Sequence, residues 1–172
     1  GRKTRSPILI TIMKKFLYHF EENKPIAPLT TFQIGGSAKY FFCAKTSDQF
    51  VAVLDFAHEQ KIPFFFLGGG SNVVISDQGF DGLVIQNKVR EIVFESENIL
   101  NCSAGVSWGL LTAKAHEHGL VGLEELAHIP GTIGGAVRGN AGSMGKETKD
   151  VLESVDVWRE GSVEQMSITD CE

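Results

Sequence analysis

Residues 62–67, Ile-Pro-Phe-Phe-Phe-Leu, form an apolar run entered through Lys61 and ended by Gly68, Gly69 and Gly70. A run this short, closed by turn residues, reads as a strand buried on both faces, the kind that sits inside a parallel sheet. A parallel neighbour has to arrive through a crossover, and the preceding sequence supplies one. Residues 38–44 are rich in aromatics and read as a strand, and Ser47 can cap a helix carrying Phe50, Val51, Leu54 and Ala57 at helical spacing. The region from 38 to 67 is therefore a βαβ unit. Val73-Val74-Ile75 and Leu83-Val84-Ile85 then read as two extended segments around the turn-rich residues 77–82.

The pattern changes near Lys88. Ile92-Val93-Phe94 and Ile99-Leu100 flank residues 95–98 like the strands of a hairpin. Ser107 caps a helix running to about His118, with Leu111 and Ala115 on one face and Gly119 as its stop. Residues 122–145 contain no periodic segment; Pro130 and glycines 122, 131, 134, 135, 139, 142 and 145 lie there, in a loop long enough to imply binding. Val155 and Val157 alternate with polar residues, and Glu160-Gly161 turns the chain into a strand over 163–168. The fold class read from this order is α+β: a small βαβ lobe followed by an antiparallel-sheet lobe. Its expected divisions are an amino-terminal extension and lead-in over 1–26, a first subdomain over 27–87 and a second over 88–172.

Composition narrows the function. With 172 residues, 42% hydrophobic and 22% charged, the chain can bury a core, and disorder is excluded. A net charge of -5, with no stripe of Lys and Arg interleaved with aromatics, argues against a nucleic-acid surface, and no nucleic-acid partner is expected. Cys43, Cys102 and Cys171 match neither a disulfide framework nor a CxxC spacing, and read as buried thiols in a reducing cytoplasm. No apolar run approaches the roughly 18 to 20 residues that span a bilayer, so no membrane partner is expected. Arg2, Lys3 and Arg5 precede a short apolar run, but Lys14 and Lys15 interrupt it and no small-residue cleavage site follows, unlike a secretory signal. Met13 looks like a natural start, and residues 1–12 are left out of fold reasoning. At the other end, residues 167–172 look like the capped opening of a helix, so the natural chain is expected to continue.

Two glycine loops carry the chemistry. Leu67-Gly68-Gly69-Gly70-Ser71-Asn72 lacks the Gly-Lys-Ser or Gly-Lys-Thr of a Walker loop. Val73 stands where a Rossmann fingerprint needs its third glycine. What remains is either a tight strand-to-strand turn or an anion-binding nest of consecutive N–H groups, assisted by Ser71 and Asn72 and suited to a pyrophosphate. Under the second reading, Val at Gly69 or Gly70 is expected to weaken cofactor binding more than folding. Ile129-Pro130-Gly131-Thr132-Ile133-Gly134-Gly135-Ala136, followed by Gly139-Asn140-Ala141-Gly142, is built almost entirely of small residues. It is either a crossover between lobes or a backbone surface for a flat ring, such as the polar edge of an isoalloxazine. Together the loops point to an extended dinucleotide lying between lobes. The other candidates weigh less. His116 and His118 lie on different helix faces, and no zinc spacing occurs, so no metal site is expected. Glu124 and Glu125 read as a solvated or loop-bracing pair before they read as catalytic carboxylates. Arg138, the only cation within the glycine stretch from 129 to 142, either offsets charge on a reduced flavin or lies on the surface. Ser71 has no Gly-x-Ser-x-Gly elbow, so a nucleophilic serine is not expected.

Taken as a set, Thr30-Thr31-Phe32-Gln33-Ile34-Gly35-Gly36, Leu67-Gly68-Gly69-Gly70-Ser71-Asn72, Gly122-Leu123-Glu124, the Ile129 to Ala136 motif and Asn140-Ala141-Gly142 closely resemble the UDP-N-acetylenolpyruvoylglucosamine reductase (MurB) family. The two glycine loops are also similar to those of the wider flavin-binding family that includes vanillyl-alcohol oxidase. The resemblance implies a two-lobed FAD-binding fold of the vanillyl-alcohol oxidase type, with FAD held noncovalently between α+β subdomains. It implies cofactor contacts at Leu67, Gly68, Gly69, Gly70, Ser71 and Asn72, and at Pro130, Gly131, Thr132, Gly134, Gly135, Asn140 and Gly142. It also implies NADPH as reductant, UDP-N-acetylglucosamine enolpyruvate as substrate and UDP-N-acetylmuramate, a peptidoglycan precursor, as product, in the cytoplasm. The family's catalytic groups are an Arg in a Tyr-Arg-x-Ser-like segment, a later Ser or Cys and a Glu near the carboxyl end. None of these motifs lies in the 172 residues; they and the substrate domain are expected beyond Glu172. This chain also reads Ser143-Met144-Gly145 where the family often has an Ala-Tyr-Gly pattern. An FAD-dependent oxidase of the wider family and a non-catalytic flavin-binding module remain alternative readings.

Overall fold

The computed structural model describes residues 20–171; Met13 and the basic and apolar residues before it lie outside that range. Its first lobe is a four-stranded sheet ordered β1-β2-β4-β3, formed by β1 (Glu21–Pro25), β2 (Ser37–Ala44), β3 (Phe64–Leu67) and β4 (Phe80–Asn87). β2, β4 and β3 are parallel, and β1 is antiparallel to β2. The stretch expected to be a lead-in thus contributes an edge strand.

Alternation along β2 and β4 separates two cores. Tyr40, Phe42, Ala44, Leu83 and Ile85 meet Val53, Leu54, Phe56 and Ala57 of helix α1 (Ser47–Glu59). Phe41 and Val84 face the opposite way, with Ile26 and Leu67, beneath Leu29, Val73 and Ile75. Helix α1 is capped by Thr46, whose hydroxyl accepts from the Gln49 N–H, rather than by Ser47.

Two strand expectations are corrected. β3, read as buried on both faces, is an edge strand with Phe66 46% exposed, whereas β4 is buried over its last six residues. An apolar run marks a strand, but which strand has neighbours on both sides is decided by pairing. Residues 73–75 join no ladder. They lie across the sheet as a cover, pinned where the Gly36 N–H donates to the Ser76 carbonyl; Val73 and Ile75 pack on that face, while Val74 points to solvent.

The second lobe opens with a hairpin of β5 (Ile92–Phe94) and β6 (Leu100–Cys102), followed by α2 (Trp108–Glu117), capped by Ser107 as expected. Gly119, at φ +76, terminates this helix in the left-handed conformation that glycine tolerates best. The stretch read as aperiodic contains a 3-10 turn (Glu124–Leu126), a short helix α3 (Ile133–Arg138) and a small hairpin of β7 (Gly142–Ser143) and β8 (Lys146–Glu147). A six-residue helix holding two glycines is too short to show a hydrophobic period. Val106, Trp108, Leu111, Leu126, Ile133 and Ala136 form the core of this lobe.

The last hairpin, β9 (Ser154–Arg159) and β10 (Ser162–Ser167), turns at Glu160 and Gly161 as expected, while the helix anticipated after it is a single 3-10 turn (Ile168–Asp170). Trp158 on β9 returns to the first lobe. Its indole lies 6.1 Å from the Phe64 ring, and its Nε1–H donates to Asp55 of α1 at 2.7 Å. No helix among the described residues is long and apolar enough to cross a membrane.

Trp108 carries a testable oddity. It is 2% exposed, and its indole N–H has no acceptor among the described residues. An unpaired buried donor costs about 1–3 kcal/mol, which offsets part of what the ring's burial contributes. Trp108→Phe is therefore expected to stay within about 1 kcal/mol of the parent in urea denaturation, whereas Trp108→Ala should lose about 3–5 kcal/mol. A loss as large for Phe as for Ala would show that the N–H is bonded.

Candidate FAD site

The parallel strands β2, β3 and β4 end together, at the edge of a sheet where ligands of α/β folds usually lie. From the end of β3 the chain enters residues 68–72. At the end of β4, the Asn87 side-chain oxygen accepts from the Val89 N–H at 3.0 Å, and the Lys88 N–H donates to the Ala44 carbonyl at 2.8 Å. Gly105 fits against this junction because a Cβ there would stand 2.7 Å from Asn87 Oδ1. Residues 104–106 then hold the start of α3, for the Ile133 N–H donates to the Val106 carbonyl at 2.7 Å and the Gly134 N–H to the Ala104 carbonyl at 2.9 Å.

The result is direct contact between the two glycine loops. A Cβ on Gly68 would stand 2.5 Å from Thr132 Oγ1, and one on Gly69 would stand 2.6 Å from Gly131 Cα. From the other side, a Cβ on Gly131 would meet the Ser71 hydroxyl at 3.6 Å. Both loops present N–H groups without protein partners. Among the described residues, the N–H groups of Gly69, Gly70, Ser71 and Asn72, and of Gly131, Thr132 and Gly135, donate to no protein acceptor. Adjoining unpaired donors on bare backbone make a surface for an anion, and the lack of side chains admits a group as bulky as a pyrophosphate. These residues therefore fit FAD.

The remaining residues expected at the site have structural tasks. Leu67 is 1% exposed and packs into the sheet core. The Gly70 carbonyl accepts from the Thr31 N–H at 3.0 Å, and a Cβ on Gly70 would press on the Leu29 carbonyl and stand 2.9 Å from Thr30 Cα. Gly69 and Gly70 thus make room first for protein backbone, which corrects the expectation that a larger residue there would weaken cofactor binding more than folding. Gly134 packs 2.7 Å, by its missing Cβ, from Ala104 Cβ, while Pro130 is exposed ahead of the loop. Asn140 Nδ2 donates to Glu147 at 2.9 Å, and its oxygen accepts from the Lys149 N–H at 3.1 Å, so its amide braces the β7-β8 hairpin. Gly142 belongs to that hairpin, with room for a Cβ limited by the Lys146 carbonyl at 2.8 Å.

Glu124 and Glu125 are the loop-bracing pair. Glu124 accepts from the Gly122 N–H at 2.7 Å, and hydrogen bonds from its own N–H and then from that of Gly122 hold its carboxyl below the usual value. Glu125 lies 3.9 Å from Lys146, which donates to the Gly122 carbonyl. Lys149 and then Asn140 likewise lower the Glu147 carboxyl. Burial pushes the Cys102 thiol up to about 11, leaving it protonated and unreactive at neutral pH. No group of three His, Cys, Asp or Glu able to hold a metal occurs among the described residues. Sequence reasoning missed residues 104–106, where Gly105 was the one available signal, and named Thr31 within a motif without seeing its task; these residues tie the loops in place through backbone bonds.

The family described as FAD binding domain matches residues 38–166. The chain belongs to that family. It is 38% identical over 145 residues to the UDP-N-acetylenolpyruvoylglucosamine reductase of Caldicellulosiruptor saccharolyticus, covering 84% of this chain and 47% of that protein. With the protein of the same name from Protochlamydia amoebophila it shares 40% identity over 146 residues, 85% of this chain and 49% of the relative. The chain thus spans about half the length of these curated relatives and corresponds to the FAD-binding part of such a reductase. Among solved structures, the reductase (MurB) from Thermus caldophilus superposes with a TM-score of 0.71 at 30% identity, over 88% of this chain and 54% of that one. Alkyldihydroxyacetonephosphate synthase reaches 0.69 at 14% identity, over 95% of this chain and 34% of that one, a likeness of fold alone. The FAD-binding domain is therefore α+β and two-lobed, of the vanillyl-alcohol oxidase type, as expected.

Proposed function

We propose that the chain holds FAD in an NADPH-dependent reductase that converts UDP-N-acetylglucosamine enolpyruvate to UDP-N-acetylmuramate for peptidoglycan synthesis in the cytoplasm. The observation that carries the FAD reading is the contact between residues 68–72 and 131–135, with N–H donors on both sides that no protein group uses. In this reading Gly69, Gly70, Ser71 and Asn72, with Gly131, Thr132 and Gly135, donate to the cofactor. Leu67, Gly68, Pro130, Gly134, Asn140 and Gly142 shape the loops that present those donors. The division at about residue 88 is retained, with FAD between the subdomains. Bound FAD supplies the hydride acceptor and donor chemistry, and the chain's own residues bind and orient it. The choice of this reductase over an oxidase rests on relatives at 38% and 40% identity. The substrate steps need a proton donor and charge partners, and the motifs that carry them in the family have no counterpart in the 172 residues.

The test uses the 172-residue chain and a full-length relative side by side. The chain is expected to take up FAD and turn yellow, with no competition from NAD or ATP. Under anaerobic conditions NADPH should bleach the flavin, because that transfer needs mainly stacking and orientation. Adding the enolpyruvyl substrate should restore colour in the full-length relative but not in the chain, since each missing acid or electrostatic partner is worth about 10²- to 10⁴-fold. A chain that stays colourless with excess FAD would overturn the binding role; reoxidation at the full-length rate would place catalytic groups within it.

A further inference from the structure

We infer that Arg138 is the residue that stabilises negative charge on the pyrimidine end of the bound flavin ring, an inference that rests on the FAD reading above. In residues 122–150 each acidic side chain has a hydrogen-bond or ion-pair partner, although Glu125 reaches Lys146 only at 3.9 Å and its buried Oε2 accepts no hydrogen bond among the described residues. Glu124 serves the Gly122 N–H, Glu125 faces Lys146, Glu147 holds Lys149 and Asn140, and Asp150 accepts from the Glu147 N–H. Lys146 and Lys149 are occupied by the same contacts. Arg138, exposed on the last turn of α3, is the charged side chain of this segment with no hydrogen bond or ion pair among the described residues.

Its position gives that free charge a direction. Side chains on a helix lean over the turn N-terminal to their own Cα, and the neighbours of residue 138 at i−4 and i−3 are Gly134 and Gly135. Gly139 follows, so the guanidinium has no side chain of its own helix face to stack on. At the amino-terminal end of the same helix stands its N-cap residue Thr132, in contact with Gly68 of the other loop. Six residues of rise separate Thr132 from Arg138, about 9 Å. A ribityl chain of five carbons covers a comparable length, so a cofactor with its pyrophosphate on residues 69–72 and 131–132 brings its ring to the arginine. The pyrophosphate already has six N–H groups to choose from there. The charge that develops on the ring when electrons enter has no other unpaired cation in this segment.

Sulfite tests this without turnover. Its sulfur lone pair forms a bond to flavin N5, the electron pair displaced from the ring comes to rest as negative charge toward N1 and the C2 carbonyl, and no other reagent is consumed. A cation beside that end of the ring strengthens the adduct and raises the reduction potential. The chain loaded with FAD is compared with Arg138→Met and Arg138→Lys, reading FAD affinity by titration, sulfite affinity by bleaching of the flavin band, and the two-electron potential. Arg138→Met should bind sulfite at least about tenfold more weakly and lower the potential by about 30 mV, the equivalent of tenfold for two electrons. FAD affinity should stay within about threefold, and Arg138→Lys should recover most of the sulfite effect. Unchanged sulfite affinity and potential would overturn the proposal, as would a large loss of FAD affinity without them, which would make Arg138 a phosphate anchor. Failure of the parent chain to bind FAD would instead remove the FAD reading, and this proposal with it.

Discussion

Replacing Gly135 by Val is expected to leave folding intact and to lower FAD affinity by about a hundredfold. Gly135 lies on the exposed side of α3, and a Cβ there meets only Thr132 Oγ1, at an ordinary 3.6 Å. Its φ is not in the left-handed region, and a valine in a helix is somewhat less costly than a glycine. Stability in urea should therefore match or slightly exceed that of the parent. The binding cost comes from the other side of the residue. Its N–H has no protein acceptor, and a branched side chain stands in the space a ligand must enter to reach it. A lost hydrogen bond to a charged group costs about 1.5–3 kcal/mol, and the steric obstruction adds to that. Titration of FAD into the folded variant measures the effect. Affinity equal to the parent would move the ring-binding surface away from α3.

Gly70→Val is expected to do the reverse, removing most of the fold's stability before any ligand is considered. Gly70 has φ +74, a conformation that β-branched residues very rarely adopt. Its missing Cβ points at the Leu29 carbonyl and Thr30 Cα, both backbone, so no side chain can swing aside. Left-handed strain of about 1–2 kcal/mol and a displaced backbone together should cost 3 kcal/mol or more. The Thr31 to Gly70 hydrogen bond would be lost with them. A lowered urea midpoint, measured without FAD, checks this. A variant with parental stability and weak FAD binding would restore the expectation that a side chain at Gly70 weakens cofactor binding more than folding. Measured together, the two glycines separate backbone accommodation from ligand accommodation within one site.

What the sequence determined by itself was local. The aromatic-rich strand β2, the Ser107 cap and Gly119 stop of α2, and the Glu160-Gly161 turn of β9 and β10 each depend on residues close in the chain. The two glycine loops were also legible, because backbone without side chains is a property of composition. Tertiary structure decided the rest. β3 went to the sheet edge and β4 to its centre because burial depends on which strands pair, and residues 73–75 became a cover because a sheet face needed one. Trp158 joined the first lobe across 103 residues of chain by bonding to Asp55, a contact no local pattern announces. The site itself was decided in the same way. Residues 104–106 draw Gly131 and Thr132 against Gly68 and Gly69, and only that contact turns two loops of unpaired N–H groups into one surface.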